Sequence, residues 1–61
     1  MWKFKIGDKL LDRKDGSIIE IIDLIKKSPT RNEGYEIKVD DIYWEHGVTD
    51  NYLLSNCDLL N

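Results

Sequence analysis

The sequence predicts a single small all-β domain of five strands, with one short helical turn near the C-terminus. Three observations carry that prediction. Five of the eight isoleucines fall in one run, residues 16–27 (GSIIEIIDLIKK), and such stiff, β-branched side chains suit a pleated surface. Residues 35–39 (YEIKV) alternate apolar and charged side chains with period two. Breakers at Gly7-Asp8, Asp15-Gly16 and residues 28–34 (SPTRNEG) punctuate the chain at short intervals.

Sixty-one residues make one domain. A chain this size buries only about 60% of its unfolded surface, so it needs efficient packing, a staple or an oligomer. A single cysteine, Cys57, leaves no internal disulfide, and a single histidine, His46, argues against a structural zinc site. A homo-oligomer is therefore one of the routes open to it. The opening MWKFKIGDK interleaves charge with apolar residues, unlike a secretory signal. No run approaches the roughly 18 apolar residues of a membrane span. With its free cysteine, the chain is expected in the cytoplasm.

In order along the chain, Trp2, Phe4 and Ile6 alternate with Lys3 and Lys5, as a half-buried strand or an apolar arm laid over a barrel end. Gly7-Asp8 is a turn. Residues 9–13 (KLLDR) resume extended structure with one or both leucines inward, and Lys14-Asp15-Gly16 closes a hairpin into the central run. That run has two readings. As a helix, Ile18, Ile21, Ile22 and Ile25 form one stripe, Ser17 and Glu20 make a capping box, Asp23 pairs with Lys27, and Pro29 ends it. As a strand it breaks strict alternation, because apolar residues come in pairs at 18/19, 21/22 and 24/25. Burial on both faces, or a bulge that resets the facing, would accommodate the pairs. The strand is favoured, since an isoleucine stripe loses side-chain freedom in a helix and the flanking segments read as strands.

Residues 28–34 are a loop, the one segment suited to a mobile tip. After strand 35–39, Asp40-Asp41 interrupts, and Ile42-Tyr43-Trp44 continues that strand or begins another. Glu45-His46-Gly47 reads as a turn before Val48. Tyr52-Leu53-Leu54 forms a last segment, and Ser55 caps a single helical turn with Asp58 completing the box before Leu59-Leu60.

Residues 4–10 (FKIGDKL) resemble the opening of many small SH3-like barrels, in which a glycine-aspartate turn introduces the first barrel strand. Residues 16–22 resemble their second strand, and residues 53–59 (LLSNCDL) the strand, helical turn and short last strand that close them. The resemblance covers most of the chain and implies a five-stranded SH3-like barrel over residues 1–61. The lysine-, isoleucine- and asparagine-rich composition at this length resembles small bacteriophage and mobile-element proteins, which implies an inhibitor that binds a host protein. Both are likenesses to a kind of protein and assign no functional residue. SH3-like barrels seldom carry so long an isoleucine run. An outward-facing surplus would form a patch fit for a partner or a second copy.

The net charge of −3 conceals an asymmetry. Residues 1–27 carry seven basic groups against five acidic, +2, while residues 28–61 carry two basic against seven acidic, −5. The acidic half suits a basic partner surface, such as that of a nucleic-acid-handling host protein. The expected protein-binding residues are Asp40, Asp41, Tyr43, Trp44, Glu45 and Asp50. The alternative is a nucleic-acid-binding barrel using Lys3, Lys5, Lys9, Arg13 and Lys14 as phosphate contacts. Against it stand the interspersed Asp8, Asp12 and Asp15 and a pI of about 4.9, where a dedicated binder has a pI above about 9.

Nothing in the sequence composes an active site. Asp40 and Asp41 would point to opposite faces of a strand and lack a nucleophile, so no enzyme is expected. His46 with Asp40, Glu45 and Asp50 matches no metal-ligand spacing, and no cofactor is implied. Tyr35, Tyr43, Trp44 and Tyr52 could stack bases, grip a proline-rich peptide or cage a methylated lysine. Trp44-Glu45-His46-Gly47 resembles the W-x-x-G stretch of methyl-lysine-reading barrels. A domain this small needs its aromatics inside, which favours core packing.

Overall fold

A computed structural model describes residues 2–60; Met1 and Asn61 of the expected 1–61 domain lie outside the described residues. The elements run β1 (Lys9–Asp12), β2 (Ile18–Ile25), β3 (Gly34–Val39), β4 (Tyr43–Val48), α1 (Asp50–Asn56) and β5 (Cys57–Leu59). All pairings are antiparallel, in the order β4-β3-β2-β1-β5. Four strands meander, and α1 carries the chain back so that β5 pairs with the far side of β1. The sheet stays open, with β4 and β5 as its edges.

The isoleucine run is a strand, and its paired apolar residues mark a bulge. Ile21 lies opposite Ile37 and Asp23 opposite Glu36, so Ile22 is extra. Before the bulge Ile19 and Ile21 face the core; after it Leu24 takes that role opposite Tyr35. Ile18 is exposed, while Ile22 and Ile25 are half-buried. The β1–β2 hairpin turns through Gly16 at φ +78°, whose N–H donates to Asp12 O at 2.8 Å.

Residues 2–6 form an arm rather than a strand. Its Trp2 and Phe4 rings meet Tyr35 edge-on at centroid distances of 5.3 and 5.7 Å, whereas Ile6 is exposed. The arm is anchored where Gly7 N–H donates to Ile21 O and Ile21 N–H to Asp8 O. Leu10, Ile19, Ile21, Tyr35, Ile37 and Leu53 are the most deeply buried of the core residues around it. The 26–33 connection tightens into a small turn of its own, with Ser28 N–H donating to Arg31 O at 2.9 Å.

Three expectations are corrected. Asp40 and Asp41 interrupt the strand as expected but do not sit on opposite faces of one: both adopt left-handed conformations (φ 51° and 63°), and Ile42 N–H closes the turn onto Val39 O at 3.1 Å. Aspartate tolerates this region where most side chains do not. Glu45-His46-Gly47 is not a turn but lies within β4, where Tyr35 pairs with Val48 and Ile37 with Glu45, leaving one extra residue on β4. Gly47, at φ +75°, absorbs that second bulge. Gly34 packs against it so closely that a Cβ there would sit 3.0 Å from Val48 O.

The helix, finally, begins at Thr49 rather than Ser55. Thr49 is extended (φ −91°, ψ 160°), its Oγ1 accepts Tyr52 N–H at 3.1 Å, and Asp50 supplies a negative charge to the first turn. Ser55 lies inside α1 and Asp58 in β5. Thr49→Ala is expected to lower stability by about 1 kcal/mol in urea unfolding, whereas Ser55→Ala should change little.

Candidate protein-binding surface

The β3–β4 hairpin gathers most of the expected site. Asp40, Asp41 and Ile42 form its turn, followed by Tyr43, Trp44 and Glu45 on an edge strand. The apolar side chains here are not core: Ile42 is 79% exposed, Tyr43 57% and Trp44 53%. Residues opposite one another share a face of the sheet. Tyr43 opposite Val39 and Glu45 opposite Ile37 therefore project to the core-side face, and Trp44 opposite Lys38 to the other. Tyr43 and Trp44 thus cannot wall one aromatic cage, because neighbours on a strand point apart.

The carboxylates divide by role. Asp40 is structural: its Oδ1 accepts Ile18 N–H at 2.8 Å, and its own N–H donates to Ile18 O at 2.8 Å, extending the β2–β3 ladder. Asp41 is exposed, 3.3 Å from Lys38 Nζ, which also lies 4.0 Å from Glu20. Such a surface pair contributes little to stability. Partial burial, then the negative charges of Asp12 and Glu45, push the Tyr52 phenol above its usual value.

Asp50 is not part of this surface. It accepts a hydrogen bond from the Tyr35 hydroxyl, which itself accepts Lys3 N–H at 3.1 Å and Phe4 N–H at 3.2 Å. One buried phenol oxygen therefore ties the N-terminal arm to the start of α1. Burial, then the bond to Asp50, raises the Tyr35 phenol above its usual value. Of the four aromatics considered together, Tyr35 is core and Tyr43, Trp44 and Tyr52 are exposed.

The basic residues of the alternative reading are dispersed. Lys5 pairs with buried Asp8 at 3.1 Å, and the Arg13 guanidinium donates to Ser55 O beside Asp58. Lys3 is on the arm, Lys9 begins β1, and Lys14 lies in the turn at the other end of β1.

Sequence reasoning missed an open depression of about 560 Å³ on the sheet beside the β4 bulge, lined by Ile25, Arg31, Asn32, Glu36, His46 and Gly47. Within it His46 Nδ1 lies 3.1 Å from Glu36 Oε1. The two are ten residues apart and stand opposite one another when the register of Lys38 with Trp44 and Ile37 with Glu45 is continued by one residue, a pairing that the reading of residues 45–47 as a turn excluded. Cys57 is buried, and burial pushes its thiol up, away from the reactive thiolate. Among the described residues no three His, Cys, Asp or Glu side chains gather as a metal site, and no helix is long and apolar enough to cross a membrane. Comparison with protein families, curated proteins and solved structures finds no match to this chain.

Proposed function

We propose that this chain is a non-catalytic protein-interaction module, built as an SH3-like barrel, whose β3–β4 hairpin binds a basic surface of a partner protein. One observation carries the reading: Ile42 in the hairpin turn and Tyr43 and Trp44 on the two faces of an edge strand are exposed together, between the exposed carboxylates of Asp41, which pairs with Lys38, and Glu45. Large apolar side chains left outside a core this small, and rimmed by mostly acidic charge with Lys38 the cation beside Trp44, fit an interface. The SH3-like assignment draws support from the strand order and from the helix placed just before the last strand. A phage-type inhibitor of a nucleic-acid-handling host protein, acting in the host cytoplasm, is the specific form that charge and composition favour. Asp40 and Asp50 leave the contact set, since each is committed to the fold.

The test is affinity capture by the tagged protein from bacterial lysate, with and without nuclease. A stoichiometric protein is expected to survive nuclease, and Asp41→Lys with Glu45→Lys to reduce its capture at least about tenfold. The expected stability loss is about 1–2 kcal/mol, because lysine tolerates the left-handed backbone of residue 41 less well than aspartate and faces Lys38. Capture unaffected by the charge reversals overturns the surface assignment. Capture abolished by nuclease transfers the function to Lys3, Lys5, Lys9, Arg13 and Lys14.

A further inference from the structure

We propose that the partner of this hairpin docks as an added strand: a basic, extended segment pairing along the free edge of β4. The inference rests on the protein-binding reading above and specifies how the contact is made.

The two edges of the sheet are not equivalent. β5 is three residues long and runs directly out of α1, whereas β4 is six residues long, and every residue from Tyr43 to Gly47 is exposed. An edge strand directs the N–H and C=O of alternate residues away from its neighbour, as a template for another chain. The side chains suit an added strand as well. Trp44 stands on one face of β4 and Tyr43 and Glu45 on the other, so alternate side chains of the incoming segment would meet aromatic surface on both sides.

Charge selects the occupant. Glu45 forms no ion pair among the described residues, and Asp41 stands exposed at the hairpin turn. A second copy would bring the same carboxylates to the seam, with a net charge of −3 against −3, which disfavours self-pairing. A segment with lysine or arginine at alternate positions places its cations beside Glu45 on one face and its intervening apolar side chains against the Trp44 ring on the other. The bulge at Gly47 bends the strand away and confines the straight edge to Tyr43, Trp44 and Glu45, roughly 10 Å of ladder. Binding therefore draws on these side chains as much as on backbone pairing.

The probe is a synthetic octapeptide of alternating lysine and valine, compared with its fully N-methylated counterpart and with a glutamate–valine version. The lysine peptide is expected to bind, to protect alternate amides within residues 42–45 from hydrogen exchange, and to lose affinity at least about tenfold on N-methylation, as loss of one or two backbone hydrogen bonds dictates. Equal binding of the N-methylated peptide overturns strand addition while leaving the hairpin as a binding surface, whose own test is the charge reversal. Failure of the lysine peptide to bind, or equal binding of the glutamate peptide, overturns the proposal. So does concentration-dependent protection of these amides without peptide together with a dimeric mass, because a second copy then holds the edge.

Discussion

Tyr35→Ala is expected to lower stability by about 3–5 kcal/mol. That approaches the whole stability of a domain this small, about 3–9 kcal/mol at the usual value per residue. The side chain is fully buried, and the arm's Trp2 and Phe4 pack on its ring. Tyr35→Phe isolates the hydroxyl. It leaves two N–H groups and the Asp50 carboxylate without their partner, at a cost of about 1–3 kcal/mol. The expected signature is a release of the arm, read as Trp2 fluorescence shifting toward that of solvent-exposed tryptophan at urea concentrations where the sheet persists. An arm that stays docked in Tyr35→Phe would refute the hydroxyl's role. The raised phenol adds a pH test. The folded chain keeps this proton when the unfolded chain gives it up, so the contribution is full below the usual tyrosine value of 10.0 and is lost as pH rises through the folded value. Tyr35→Phe should flatten that alkaline decline.

The second large effect is at Leu53, the only buried residue of α1. Leu53→Ala is expected to cost about 2–5 kcal/mol, whereas Leu54→Ala, half exposed on the same helix, should stay within about 0.5 kcal/mol. The loss should spread to β5, because α1 leads straight into it. Hydrogen exchange at Leu60 N–H, which donates to Lys9 O at 2.9 Å, is the direct readout. Unchanged exchange there would mean that β5 holds to β1 without the helix.

Where burial selects side chains, the fold was legible in the sequence. The period-two residues of β3 announced that strand, and the paired isoleucines of β2 favoured a second one with either two buried faces or a bulge, of which the structure has the bulge. β4 was misread in part because it is an edge: Tyr43, Trp44, Glu45 and His46 are exposed on both of its faces, so burial imposes no apolar–polar alternation there, and its glycine sits in a bulge rather than a turn. The helix was displaced by six residues because Thr49 is followed three positions on by Tyr52, not by the glutamate or glutamine of a capping box. In the candidate site, the hairpin residues came from adjacency in sequence, but Asp50 belonged elsewhere. A tyrosine at a core position needs a partner for its hydroxyl, and an aspartate opening a helix was the available acceptor. That signal was present and unused.

The bulge at Ile22 also bears on how this strand tolerates changes of length. Upstream of it the odd-numbered residues point inward; downstream the even-numbered ones do. Losing Glu20 would put the two blocks out of phase with β1 or β3, whereas losing Ile22 would keep every remaining side chain on its present face. The strand thus holds one residue more than its facing requires. What that residue supplies is shape: a bulge bends and twists its strand, and so curls the sheet around Tyr35 and Leu53.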